Sequence, residues 1–184
     1  MPSGIILIEV VDLYTWEPLS KNSRAQTLLR ELDSNRVREV TEGFALYLLN
    51  FLKSLVLNAI KMQKFPVRYA PLSPAYARRK LRKGWRHGFW QMTGFLQNHI
   101  EIWKIQTNNY AIGFKHGIIH PETGAPIEDI VKWLEKGVPS HNQPARPLFY
   151  PLSAGISKHV YDVHFRRYIR DKHSDLVDLL DPYK

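Results

Sequence analysis

Histidines and carboxylates are the residues of this chain best suited to chemistry, and their spacing works against it. There are eight histidines. His116 and His120 fall in a Gly/Pro loop, while His159 and His164 stand five apart on a predicted helix. Ligands that share a helical face recur every three or four residues, so the second pair is misaligned. The first pair has no third histidine or carboxylate at a ligating distance along the chain. Glu122, Glu128 and Asp129 are the acids that a hydrolase or metal-dependent nuclease would set beside a histidine. Glu128 and Asp129, however, occupy the first turn of a predicted helix, where the helix dipole favours acids without any catalytic role. No nucleophile elbow, phosphate-cradling glycine loop or dinucleotide fingerprint is present. The chain also has no cysteine, which removes disulfides, thiolate zinc sites and cysteine nucleophiles together. The residues therefore read as a protein with no catalytic group, no metal and no cofactor, and not as an enzyme.

One block has a different character. Arg68, Arg78, Arg79, Lys80, Arg82, Lys83 and Arg86 are basic, no acid interrupts them, and Trp85, Phe89 and Trp90 are interleaved or adjacent. Cations beside aromatic rings can hold phosphates and stack on bases. They can equally pair with an acidic face of another subunit, since guanidinium groups suit bidentate contacts across interfaces. The expected outward-facing patch is Arg78, Arg79, Lys80, Arg82, Lys83 and Arg86. No helix-turn-helix or zinc-finger pattern supports sequence-specific reading.

The elements that must position these residues follow from periodicity and punctuation. Gly4 to Val11 is β-branched and apolar, too short for a signal-peptide core, and reads as a strand. Residues 37–63 give the longest helical signal, ending before Pro66. Its polar residues Asn50, Ser54, Asn58 and Lys61 form one narrow stripe beside Lys53; the remaining arc is apolar and wider than an ordinary surface helix requires. Two readings stay open: a helix enclosed by its own monomer, or one packed on its own sheet along one side and on a neighbouring subunit along another. The polar stripe is poorly suited to a membrane span, so a soluble protein is expected.

Ser73-Pro74 reads as cap and first turn of a short helix over 75–82 that ends at Gly84. Gly94 reads as a corner that launches a strand over 95–105, with Asn108-Asn109 as hairpin turn and 110–114 as the return strand. A short amphipathic helix over 127–136 stops at Gly137. Residues 144–150 read as extended and pinned by Pro144 and Pro147, delivering Leu148 and Phe149 to fixed places. A second long helix is predicted over 152–172, followed by an acidic tail from Ser174. Local strand pairing with helices to one side indicates α+β: a small antiparallel sheet packed against two long and two short helices, with extended terminal arms. The 184 residues, 44% apolar and 12% aromatic, suit a single domain with an N-terminal arm (1–20) and a C-terminal tail (172–184). The formal charge of +9 favours a polyanion or an acidic protein surface as partner.

The order of these pieces resembles a known family. Tyr69-Ala70-Pro71-Leu72-Ser73-Pro74-Ala75-Tyr76 with Lys80 beyond it, the Thr93-Gly94-Phe95-Leu96 corner, Trp133-Leu134-Glu135-Lys136-Gly137, and Pro144-Ala145-Arg146-Pro147-Leu148-Phe149 look like the tail-completion (virion-morphogenesis) proteins of long-tailed bacteriophages. Leu148 ahead of Phe149 is a small departure from the family's proline-alanine-arginine-proline-phenylalanine box. The resemblance covers roughly residues 37–170. It implies a structural role in the virion neck, after assembly in the host cytoplasm: a ring of identical subunits, expected to be a hexamer, that completes or terminates the tail tube. Its implied neighbours are portal-side connector and tail-tube or sheath proteins, with nonspecific contact to packaged DNA in the lumen and no membrane. Gly94, Pro144, Arg146, Pro147 and Phe149 then carry structural roles, with Arg146 expected to bond backbone carbonyls or an acid. Both termini are expected to act as arms between subunits.

Overall fold

Caps and breakers set most of the element boundaries. The computed structural model describes residues 32–180, apart from 66, 87, 92, 107, 108 and 155–157. The N-terminal strand expected over residues 4–11, the hairpin turn at Asn108 and the last residues of the tail lie outside that set. Asp33 accepts from the Asn35 and Arg36 amides with one carboxylate oxygen, at 2.9 Å each, and so starts the long helix α1 (Ser34–Met62). Ser73 accepts from the Tyr76 amide at the head of α2 (Pro74–Arg82). A single turn, α3 (Phe95–Asn98), precedes the hairpin of β1 (Glu101–Gln106) and β2 (Asn109–Gly113). Then come α4 (Ile127–Lys136), α5 (Phe149–Ala154), α6 (Lys158–Lys172) and α7 (Val177–Leu180), with one-turn 3-10 segments at Pro139–His141 and Ser174–Leu176. The fold is α+β.

The sequence reading treats the chain as one domain; the described residues gather into two compact units. One contains 52–102 and 112–154, the other 32–51, 103–111 and 158–180, and both α1 and the hairpin contribute to each. The second unit centres on rings. Phe44 lies edge-on to Phe165 at 5.0 Å and within 5.7 Å of Tyr168, with Val40, Ile169 and Leu176 completing a buried cluster. Gly43 is required beside it, because a Cβ there would collide with the Tyr168 hydroxyl. That hydroxyl is 2.9 Å from His173 Nε2. α1 is long and apolar enough by length and composition to cross a bilayer, but 44% of its most apolar stretch is already buried by this chain.

Four expectations are corrected. Gly94 starts a helical turn and not a strand: it takes φ 86° as the N-cap of α3, and β1 begins only at Glu101. The strand expected over 95–105 is cut short because residues 95–98 close helical hydrogen bonds, Asn98 to Gly94 among them. α5 starts at Phe149, where the segment was expected to be still extended; of the long helix expected over 152–172, residues 152–154 and 158–172 are helical among the described residues. Finally, residues 174–180 are no arm. Leu176 is buried, Val177 packs on the same aromatic cluster, and Asp175 pairs with Arg36 at 2.8 Å. An acid and an apolar residue at that spacing give the segment a docking site on its own chain.

Candidate functional site

The first unit holds an extended segment and an irregular loop whose backbone groups need partners from side chains, since neither belongs to a sheet. Pro144–Phe149 is tied down at nearly every residue. The Arg146 amide donates to Leu134 O at 2.6 Å, taking up a carbonyl left open at the end of α4. Gln143 Nε2 donates to Trp133 O at 3.2 Å, in the same turn. Trp90 Nε1 donates to Arg146 O at 3.0 Å, and Tyr69 Oη to Pro147 O at 2.6 Å. Glu135 Oε1 accepts from the amides of Leu148 (2.9 Å) and Phe149 (3.1 Å), capping α5 from another helix. Burial raises the Glu135 carboxyl above the ordinary range, opposed by those two amide bonds. Gly137, at φ 74°, allows the turn; a Cβ there would meet the backbone of Gln143 and Ala145 at 2.6 and 2.7 Å.

The loop Gly88–Gln91 is clamped in the same way. Gln63 accepts from the Phe89 amide at 2.7 Å and donates back to Phe89 O at 3.1 Å. Lys80 Nζ donates to Gly88 O at 2.6 Å and to Gln91 O. This corrects the expected outward patch. Lys80 is only 2% exposed and points inward, while its neighbour Leu81 is 60% exposed. Arg78, Arg79, Arg82, Lys83 and Arg86 are exposed, as is Arg68. Arg79 stands over the Trp85 ring at 5.7 Å, and Arg86 reaches Gln97 at 3.3 Å. Trp90, one of the aromatics read as stacking candidates, is buried.

The expected structural residues sit as follows. Gly94 takes its left-handed conformation, and a Cβ there would make only ordinary contacts with Arg86 and Gln97 at 3.9 Å, so conformation and not crowding requires glycine there. Pro144 is exposed, Pro147 half-buried and Phe149 buried edge-on to Trp90 and Phe114. Arg146 is 6% exposed; its Nη1 reaches Pro144 O at 3.4 Å, its guanidinium lies 5.1 Å from the Phe89 ring, and its Nε has no partner.

The chemistry-bearing residues remain dispersed. His116 Nδ1 is 3.7 Å from Glu128 Oε1; bonds from the Glu128 and Gly117 amides, with that histidine, hold the Glu128 carboxyl below its usual range. Glu122 is exposed, and its amide donates to His120 Nδ1 at 3.2 Å, which leaves the proton of a neutral imidazole on Nε2. His120 is buried against the Phe95 ring at 4.6 Å, and burial lowers its pKa. Among the described residues no group of three or more histidines or carboxylates could hold a metal.

A cavity of about 690 Å³ opens between these anchored pieces, bounded by Leu72, Tyr76, Trp90, Ile130 and Trp133 and reached by Lys80, His120 and Arg146. Burial, with Arg146 nearby, lowers the Lys80 pKa to about 8; burial likewise lowers that of Arg146. Sequence reasoning missed Tyr69, Trp90, Glu135 and the inward Lys80. Only Glu135 left a local sign: an acid in the last turn of a helix opposes the dipole and needs a reason to be there. Comparisons of this chain with family models, curated proteins and solved structures found no match.

Proposed function

We propose that this chain is a non-enzymatic structural subunit that assembles with copies of itself, as a six-fold ring in the neck of a long-tailed phage virion. There it completes or terminates the tail tube and joins it to the connector on the head side. The motif order from Tyr69 to Phe149 supports the family, and one structural observation supports assembly. Along α1 every fourth residue from 46 to 62 is exposed: Leu46 (39%), Asn50, Ser54, Asn58 and Met62 (59%). This ridge is about 24 Å long at 1.5 Å per residue. It carries no charge. Solvent-facing helix ridges ordinarily carry charged residues; small uncharged residues with apolar ends suit the grooves of a second helix. Heterologous contacts of this type between identical subunits close into rings.

Sedimentation velocity and negative-stain imaging test the reading. Rings are expected from the wild type, and monomers with an unchanged circular dichroism spectrum from Ser54→Arg or Asn58→Arg. A wild type that is monomeric at every concentration, or variants that assemble like it, would overturn the assignment. The exposed cations Arg78, Arg79, Arg82, Lys83 and Arg86 favour a second reading, a nonspecific DNA-binding module. Its signature is a monomer that binds duplex DNA with steep salt dependence, weakened by charge reversal at Arg82 and Lys83.

A further inference from the structure

We infer that the cavity between α2, the 88–91 loop and α4 is a binding site for an organic carboxylate with an apolar body. This goes beyond assembly and does not depend on it. Two cations, Lys80 and Arg146, reach the cavity, and both are nine-tenths buried or more. Among the described residues neither makes an ion pair; the charged group acting on Lys80 is Arg146, and the groups acting on Arg146 are Tyr76 and Tyr69. The half-buried acid of this region, Glu135, spends one oxygen on two backbone amides and forms no ion pair with either cation. Two buried charges of one sign without a counter-charge are costly, and an anion in the cavity offsets that cost.

Geometry narrows the anion. Lys80 gives two of its three N–H groups to Gly88 O and Gln91 O, which leaves one. Arg146 gives one long bond to Pro144 O, leaving most of its planar fork. A flat carboxylate matches one fork and one ammonium proton; a phosphate, with more charge and more acceptors, asks for more donors than remain. Tyr76 also lines the cavity, and its ring is 5.7 Å from Lys80 Nζ. Polar side chains such as His120 and Gln143 also line it, but Leu72, Phe89, Trp90, Ile130 and Trp133 give it a large apolar wall, and the volume is that of a site for a small molecule. An aliphatic or aromatic body therefore accompanies the carboxylate.

Calorimetric titration of the full chain with decanoate and with decan-1-ol tests this. Decanoate should bind with one-to-one stoichiometry and the alcohol ~10-fold or more weaker, the difference a charged hydrogen bond makes. Arg146→Met and Lys80→Met should each remove that preference while leaving the alcohol's affinity unchanged. Should either fail to fold, Ile130→Trp, or Thr123→Trp at the exposed rim, fills the space without touching a buried charge and should abolish decanoate binding. Three results would overturn the assignment: equal affinity for acid and alcohol, undiminished decanoate binding in both filled variants, which would place it on the basic exterior, or no binding of decanoate or 4-phenylbutyrate.

Discussion

The Pro144–Phe149 segment, which buries the side chains of Arg146, Leu148 and Phe149, and the ring cluster around Phe44 are held in opposite ways. The segment lacks the repeating hydrogen bonds of a helix or sheet, so Tyr69, Trp90, Glu135 and the end of α4 supply partners one at a time. The cluster is built mainly from α1 and α6, helices that satisfy their own backbones, and apart from the Tyr168–His173 bond it rests on shape: Phe44 against Phe165 and Tyr168, with Gly43 leaving room. Extended chain inside a protein thus depends on directional polar contacts, whereas packed helices depend on volume.

Substitutions can break each arrangement in its own way. Phe44→Ala removes the ring at the centre of the cluster and should cost about 3–5 kcal/mol in denaturant unfolding. Gly137→Ala should cost about 3 kcal/mol, since φ 74° with ψ 176° is reserved for glycine and the added Cβ strikes backbone that cannot move aside. Glu135→Ala leaves the Leu148 and Phe149 amides without an acceptor, for about 2 kcal/mol, and Glu135→Gln should recover part of the loss. That recovery sharpens the contrast, because polar chemistry and not size is then at stake. Gly43→Ala should cost about 1–2 kcal/mol through the Tyr168 hydroxyl, although an alanine in mid-helix is ordinarily favourable. If it stabilises instead, the shape argument for the cluster fails.

The smallest effect is in pH dependence. Lys80 has a folded pKa of about 8, below the ordinary lysine value of 10.5, so between the two the unfolded chain holds more protons. Stability should therefore rise with pH across that window, and the slope should vanish in Lys80→Met. Burial depresses His120 and His164 as well, which removes stability as pH falls below about 6.5. Chemical denaturation at a series of pH values checks both signs.

What could be read locally was read well. α4 begins and ends where its acids and Gly137 place it, Ser73-Pro74 opens α2, and the hairpin follows from its paired apolar strands. Those signals lie within a few residues of the feature they set. The direction of Lys80 gave no such sign, because a cation in a basic run looks the same whether it faces water or two carbonyls. The start of α5 at Phe149 depends on a carboxylate fourteen residues back, and the burial of Trp90 on a carbonyl fifty-six residues ahead. Periodicity, caps and breakers are thus properties of the chain itself and determined α1, α2, α4, the hairpin and the α+β class. The inward lysine, the clamped loop, the docked C-terminal segment and the charged cavity were decided by tertiary structure, since a side chain meets a distant carbonyl only after the chain between them has folded.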